Sequence, residues 1–294
     1  MNLFAPSYYK YFTCIADKCR HSCCIGWEID IDPDTLHRYQ TCSHPYGETI
    51  RRSISHEDAP HFRLAAEERC PHLNKKGLCK IILELGEDHL CEICKEHPRF
   101  CHETAHGREV GLGMACEEAC RLILATRDYR TFHAVGSTEE MPEEFFFDSL
   151  PHRETLYALL SDAAIPYAQR IERISRAYGV TPALHCDKSW RDLLAGLEYL
   201  HEEHRELFSC YSSSASLPAE QEPAMERILA YLIFRHCTPA WDEEEFRSAL
   251  GFCLFCHQLL ASLANLYPLP ELARILSEEI EYSTDNTETI KSMF

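Results

Sequence analysis

The chain has 294 residues, of which 45% are hydrophobic, and a formal net charge of −18. Its length allows one or two ordinary apolar cores, whereas its acidity argues against a nucleic-acid partner, because phosphate backbones are bound by Lys and Arg. No apolar run approaches the roughly 20 residues of a membrane span, and the first residues lack the basic and apolar regions of a secretory signal. We therefore expect a cytoplasmic protein that binds neither membranes nor nucleic acid.

Short, turn-rich elements are predicted in the first 130 residues. Asp32 followed by Pro33 is a typical N-cap with proline at the first helical position, so a helix is expected to begin there. Alternation of apolar and polar residues indicates a strand just before it. The other predicted elements are helices at residues 79–86 and 116–129 and a strand at residues 108–115.

Helical periodicity dominates from about residue 140 onward. The predicted helical segments are residues 151–163, 166–179, 188–208, 223–237, 242–267 and 270–282. The fold class is therefore mainly α, with a cysteine-rich N-terminal region containing short strands and an α-helical C-terminal region. We expect a metal- or cluster-binding domain at 1–130, a helical domain at 140–282 and a disordered tail at 283–294.

Charge is divided in the same way as the predicted domains. Residues 1–130 hold 17 basic and 20 acidic side chains, whereas residues 131–294 hold 12 basic and 27 acidic ones. An acidic surface favours a lysine-bearing protein partner. The alternative is that this charge only keeps the protein soluble.

Twelve of the 17 cysteines lie between Cys14 and Cys120. Cytosolic thiols stay reduced, so disulfides are the less favoured use. Zinc and iron–sulfur clusters both bind thiolates that are brought together from short spacings and a distant second group. The spacings here fit that grouping: "CIADKCRHSCC", "CPHLNKKGLC", "CEICKEHPRFC" and "CEEAC". Packing of cysteines as small apolar residues explains single positions but not this density. Spacing alone does not distinguish a cluster from zinc.

Three stretches together resemble one known family. "FTCIADKCRHSCCIGWEIDID", "CPHLNKKGLCKIILELGEDHLCEICKEHPRF" and "EVGLGMACEEACRLIL" follow, in order, the cysteine signature of the flagellin lysine-N-methylase (FliB-like) family, within the zinc- or iron-chelating cysteine-cluster proteins. The resemblance covers about residues 8–126. Around Cys116 the chain departs from the pattern, because Met-Ala precedes this cysteine and Glu117 replaces a proline.

The resemblance implies eight ligand positions and a cluster of the four-iron type, with zinc as the other possibility. The implied ligands are Cys14, Cys19, Cys23, Cys24, Cys70, Cys79, Cys94 and Cys116. Eight thiols exceed one four-ligand site, so either two centres exist or some thiols play another role. Cys91, Cys101 and Cys120 are interpreted as extra cysteines, and Cys42 matches no family position.

Transfer of a methyl group from S-adenosylmethionine to lysines of flagellin, or of a similar protein, is the activity that the resemblance implies. The usual machinery for such transfer is missing from the sequence: "GLGMAC" lacks the third glycine of a dinucleotide-type loop, and Cys19, Cys23 and Cys24 do not give the triplet of radical enzymes. No catalytic base can be assigned. Trp27 could face a sulfonium, although core packing is the commoner role. The alternative function is a non-catalytic protein that chelates zinc or iron.

Overall fold

The computed structural model describes residues 2–57, 59–137, 147–181 and 186–294. The chain forms two compact units. The cysteine unit comprises Thr13–Phe100 and Cys116–Glu118, and the helical unit comprises Met1–Phe12, Cys101–Ala115 and Ala119–Phe294.

This division differs from the boundary predicted between residues 130 and 140. Residues 138–140 of that range lie outside the described residues. The N-terminal strand β1 (Asn2–Pro6) is part of a four-stranded sheet, in which it lies between two strands that are distant in sequence. It pairs in parallel with β6 (Gly107–Leu112) and antiparallel with β7 (Phe132–Ser137). Backbone pairing therefore places the first residues in the helical unit.

The cysteine unit contains short elements around a small apolar core. Its antiparallel sheet has the strand order β2 (Ile29–Asp30), β4 (His61–Phe62), β3 (Ile54–Ser55), and Phe62 lies opposite both Ile29 and Ile54. Asp32 caps the first helix as predicted, because its carboxylate accepts a hydrogen bond from the Thr35 amide at 2.8 Å. The elements of this unit are β2 (Ile29–Asp30), α1 (Pro33–Thr41), α2 (Pro45–Ser53), β3 (Ile54–Ser55), β4 (His61–Phe62), α3 (Lys80–Leu85) and α4 (Glu92–Glu96).

The helical unit contains most of the longer helices. Strand β5 (Arg99–Thr104) enters it from the cysteine unit and pairs with β6. Helix α5 (Glu117–Ala125) belongs to this unit from Ala119 onward. The other helices of the unit are α6 (Leu150–Leu160), α7 (Tyr167–Tyr178), α8 (Asp187–Gly196), α9 (Glu202–Phe208), α10 (Glu222–Leu232), α11 (Glu243–Leu263), α12 (Leu269–Leu276) and α13 (Thr284–Lys291). The mainly α fold with short N-terminal strands is confirmed.

Helix α11 is the central element of the helical core. Phe246, Leu250, Phe252 and Leu260 on this helix are fully or almost fully buried. By length and composition α11 could cross a membrane, but 78% of its most apolar window is buried inside the protein. A core helix passes the same test of length and composition, and this burial accounts for its apolar character.

The last residues differ from the predicted disordered tail. Residues 284–291 form α13, which Ser283 caps by accepting a hydrogen bond from the Asn286 amide. Ile290 is fully buried, and the ring of Phe294 lies so close to Gly251 that a Cβ there would come within 2.1 Å of it. The tail therefore has an apolar packing site, which its polar composition did not indicate.

Candidate metal centre

A short antiparallel pairing brings Cys24 beside Cys70. The Cys70 amide donates to the Cys24 carbonyl at 2.8 Å, and the Gly26 amide donates to the Glu68 carbonyl at 3.0 Å. Ile25 and Arg69 form the bridge between these two bonds. Two cysteines that are 46 positions apart in sequence are thus held by backbone hydrogen bonds.

A tight turn then brings Cys79 back toward Cys70. The Asn74 side chain accepts hydrogen bonds from the amides of Lys76 and Leu78, at 2.8 and 3.0 Å. Gly77 has a φ of +74°, which a residue with a side chain adopts only with strain. The bridge between Leu73 and Cys79 closes the turn.

His72 anchors the same turn in the unit's core. Its ring is buried between the Tyr46 hydroxyl and the Ser53 hydroxyl, each 2.9 Å from a ring nitrogen, and packs edge-on against Phe62. Burial lowers the pKa of His72 to about 4. Both ring nitrogens have protein partners, so His72 is a positioning residue for Cys70.

Cys91 and Cys94 lie at the start of α4, against the apolar core. Cys91 is almost fully buried, and its sulfur is 3.6 Å from the Tyr39 hydroxyl. The interaction between the two thiols lowers the pKa of Cys91 and raises that of Cys94. Asp32 fixes α4 by accepting from the Glu92 amide at 2.9 Å.

Five thiols are therefore brought together in the cysteine unit, and we call them the inner group. Burial raises the pKa of Cys70 to about 12, and the neighbouring thiols add to this rise. Cys79 and Cys94 also have raised pKa values, with burial and neighbouring thiols among the causes. The members of the inner group are Cys24, Cys70, Cys79, Cys91 and Cys94.

A second set, the outer group, consists of Cys14, Cys19, Cys23 and Cys116. Glu117 organises it. Its carboxylate accepts from the Arg20 amide at 2.8 Å and from the Arg20 guanidinium at 2.9 Å, and it lies 3.8 Å from the Cys19 sulfur. Cys116 is thereby held beside the loop that contains Cys19.

The outer thiols are more exposed than the inner ones, since both Cys14 and Cys23 are exposed. Burial nevertheless raises the pKa of Cys19 to about 11, and the nearby Glu117, Cys116 and Cys14 reinforce the rise. The two groups meet at Cys23 and Cys24, and the interaction between these two thiols lowers the pKa of Cys24 and raises that of Cys23.

The structure places all eight cysteines implied by the resemblance in one of these groups. The inner group also contains Cys91, which the resemblance does not include among the implied ligands. The C-x2-C spacing with Cys94 was the signal that identifies it. Cys101 and Cys120 lie in the helical unit, and Cys42 packs against Gly47.

The donor set fits a thiophilic metal. Thiolates select zinc, copper(I) and iron–sulfur clusters over harder cations. Crowded thiols ionise reluctantly because burial and mutual repulsion disfavour the charged forms. A bound cation reverses both effects, so cation binding and thiol ionisation are expected to reinforce each other in this unit.

In the part of the chain that the structure describes, the only three potential ligands whose ligand atoms all lie within 4.8 Å of one another belong to the helical unit: His201, Glu278 and Glu279. Protein contacts already use the two carboxylates. Glu279 accepts from the amides of Leu200 and His201 and from His204, and Glu278 pairs with Arg274 at 2.8 Å. We interpret this cluster as structural.

Trp27 packs against the apolar core of the cysteine unit, together with Leu36 and Leu85. This contact fits the commoner role expected for it. Pro98, just after the inner cysteines, follows a cis peptide bond.

Comparison with known proteins finds similarity to the same family that the cysteine pattern resembles. The chain is 24% identical to the lysine-N-methylases of Salmonella choleraesuis and Salmonella typhimurium, over 58% of this chain and 49% of each relative. The chain is distantly similar to the lysine-N-methylases. It is also 28% identical to the flagellar biosynthetic protein FliU of Salmonella muenchen, over 42% of this chain and 77% of that protein.

The chain spans about half the length of the lysine-N-methylases it matches. No family model matches it, and no solved structure is significantly similar.

Proposed function

We propose that the chain is a protein-lysine N-methyltransferase of the cytoplasm that acts on flagellin or a similar lysine-bearing protein. S-adenosylmethionine is the methyl donor, and a thiolate-ligated iron–sulfur cluster of the four-iron type is required. The observation that carries the proposal is the similarity to proteins named lysine-N-methylase and to a flagellar biosynthetic protein.

The inner group is the set of residues that would hold the cluster. Four-iron clusters are held by four cysteine thiolates, and this group offers five thiols on elements fixed by backbone hydrogen bonds and by the apolar core. A bound cluster would supply iron at this site.

The charge of the C-terminal residues supports a basic protein substrate. Residues 131–294 have 27 acidic against 12 basic side chains, and such an excess attracts a lysine-bearing surface and speeds its encounter. The lysine amine must also lose its proton, since only its lone pair can attack the methyl carbon. Desolvation or a neighbouring cation lowers the lysine pKa and favours that neutral form.

The test is methyl transfer by the full chain prepared without oxygen. Labelled S-adenosylmethionine and purified flagellin are incubated with the protein, and flagellin is analysed by mass spectrometry for methyl increments on lysine. We expect transfer by the wild type, loss in Cys24→Ser and retention in Cys42→Ser, whose thiol is outside both groups. Lack of any increment with fully metal-loaded protein and flagellin would contradict the methyltransferase proposal.

One observation favours the alternative of a non-catalytic protein that chelates zinc or iron. The inner thiols pack directly on the core of their unit, Cys91 being part of it, and structural zinc sites are likewise closed by complete protein ligand sets. Colourless protein with zinc, normal folding and no methyl transfer would support this alternative.

A further inference from the structure

A small cavity in the helical unit is enclosed mostly by aromatic side chains. Residues of β1, α5, β7, α6 and α10 contribute to its wall. The volume open to the centre of a water-sized group is about 10 Å³, which is room for one such group. An amine nitrogen with its hydrogens is about this size. The aromatic members of the wall are Tyr8, Tyr129, Phe132, Tyr157, Tyr231 and Phe234.

The hydroxyl of Tyr8 is available to a ligand in this cavity. The side chain is 4% exposed, and in the part of the chain that the structure describes no hydrogen bond reaches its oxygen. By contrast, Tyr129 donates to Glu226 at 2.8 Å, and Tyr157 donates to the Ala230 carbonyl at 3.1 Å. A buried hydroxyl without a partner is unfavourable, so a polar group bound in the cavity would gain a hydrogen bond from Tyr8.

Arg227 brings a positive charge to the same wall. Its guanidinium donates to the Leu124 carbonyl at 2.8 Å, and the described residues offer it no carboxylate partner. His102, whose ring stands edge-on against Phe234, is uncharged because burial lowers its pKa to about 3. The other charged groups near the wall occur as pairs: Arg170 with Glu226, Arg153 with Glu109, and Arg235 with Glu281. One positive charge is therefore in excess.

The cavity approaches the protein surface on one side. Tyr129, Phe132 and Arg227 are half-buried, whereas Tyr8 and Tyr157 are buried. An aliphatic chain that enters between the half-buried residues meets apolar ring surface and ends at the Tyr8 hydroxyl. A lysine side chain suits this route, because its stem is apolar and its polar group lies at the end.

The surroundings favour an amine over an ammonium ion. Burial among aromatic rings disfavours any charged form, and the unpaired Arg227 repels a second cation. An amine without its extra proton keeps the lone pair that attacks a methyl carbon, and it can still bond to the Tyr8 hydroxyl.

We propose that this aromatic cavity receives the side-chain nitrogen of a substrate lysine and holds it in the uncharged form, with Tyr8 as its hydrogen-bonding partner. The ligand class is a primary alkylamine, whose ammonium form releases its proton to solvent before the amine enters. This inference rests on the proposed function, because it names the place where the nucleophile of that reaction is held.

The first experiment measures binding without a methyl donor. The probe is n-butylamine, which has the four carbons and the nitrogen of a lysine side chain, and its binding to the full chain is followed by ligand-observed NMR. We expect the apparent affinity to rise about tenfold per pH unit between pH 7 and pH 9, because the uncharged fraction of an alkylamine rises by that factor below its pKa.

Two variants test the cavity, with Tyr11→Phe as the control at a side chain that is 64% exposed. Tyr8→Phe removes only a hydroxyl that bonds to no described residue, so thermal unfolding should stay at the wild-type value. Ala230→Val narrows the cavity and keeps the carbonyl that accepts from Tyr157. Each variant is expected to lower the butylamine affinity, and kcat/KM for flagellin, by about tenfold.

The results distinguish this proposal from the methyltransferase proposal. Wild-type butylamine affinity in folded Tyr8→Phe, absence of binding to the wild type, or binding that does not strengthen with pH would overturn the amine site. Methyl transfer that is unchanged in both variants would also overturn it while supporting the methyltransferase. Butylamine binding that depends on Tyr8, in a protein that transfers no methyl group, would support the site and contradict the methyltransferase.

Discussion

The cysteine unit and the helical unit bury different kinds of groups. The helical unit closes around α11, where Phe252, Leu259 and Leu260 are fully buried. The core of the cysteine unit is small, includes Cys91, and has the thiols of Cys79 and Cys94 packed against it. A small apolar core stabilises a unit only marginally, and metal ligation commonly supplies the remainder. If the cysteine unit binds the proposed metal, its stability should therefore depend on that metal, whereas the stability of the helical unit should not.

Loss of an inner ligand should have the largest effect. Cys24→Ala is expected to lower metal content and solubility together, because structural metal sites contribute on the order of 10 kcal/mol to folding. Metal analysis should show a lower metal content. Limited proteolysis should show cleavage within residues 13–100, whereas the helical unit should resist it. Cys42→Ala is the matched control, and normal metal content in Cys24→Ala would exclude this thiol as a ligand.

Truncation of a side chain in the helical core should have the opposite effect: it should lower the stability of the helical unit without changing the metal content. Phe252→Ala removes a fully buried ring from α11 and should destabilise the protein by about 4 kcal/mol. Chemical denaturation measures this loss, while metal content stays at the wild-type value. Leu266→Ala, at a position that is 62% exposed, is the control. A matching loss of metal in Phe252→Ala would mean that the units are not independent.

Substitution of Asp32 tests how strongly one side chain stabilises two helices of the cysteine unit. It caps α1 and also accepts from the Glu92 amide of α4, so Asp32→Ala should cost about 1 to 2 kcal/mol. Asp34→Ala, an exposed acid in the same helical turn, should have little effect. Equal stability of the two variants would argue against this double capping role.

The pH dependence of Asp32 has a defined sign. Burial alone would raise its pKa, but the amides of Glu92 and Thr35 stabilise the carboxylate and lower the pKa overall. The stabilisation is therefore complete above the unfolded pKa and is lost as the pH falls through the folded one. Denaturation of wild type and Asp32→Ala should converge at acid pH, and a constant difference would contradict the assignment.

The smallest effect concerns the C-terminal packing. Glycine within a helix costs about 1 kcal/mol relative to alanine, and Gly251 is explained by the overlying Phe294 ring. Adding Gly251→Ala to the Phe294→Ala variant should raise its stability. The same substitution in the wild type, where the Phe294 ring is present, should not. Thermal unfolding of the two single variants and the double variant measures this difference; additive effects would exclude the contact.

Local patterns were sufficient to predict much of the fold. Asp32-Pro33 gave the start of α1, and the 3.6-residue periodicity gave most of the helical unit. The predicted helix at 188–208 is instead α8 and α9, separated where the amides of Leu200 and His201 bind Glu279. That partner is 78 or 79 positions away, so sequence periodicity contained no signal for the break.

Non-local contacts also explain the other differences. Strand β1 belongs to the helical unit because β6 and β7 pair with it, and α13 is ordered because Ile290 and Phe294 find apolar partners. For the proposed metal ligands, the resemblance implied eight positions. Their division into two groups required the pairing of Cys24 with Cys70 and the contact of Glu117 with Cys19, which spacing does not encode.

Amide hydrogen exchange of the full chain, with metal bound and after its removal under reducing conditions, tests the dependence of the cysteine unit on its metal most directly. The account predicts that removal abolishes protection in residues 13–100 and leaves α10, α11 and α12 protected. Unchanged protection of the cysteine unit after complete metal removal, or equal loss in both units, would contradict it.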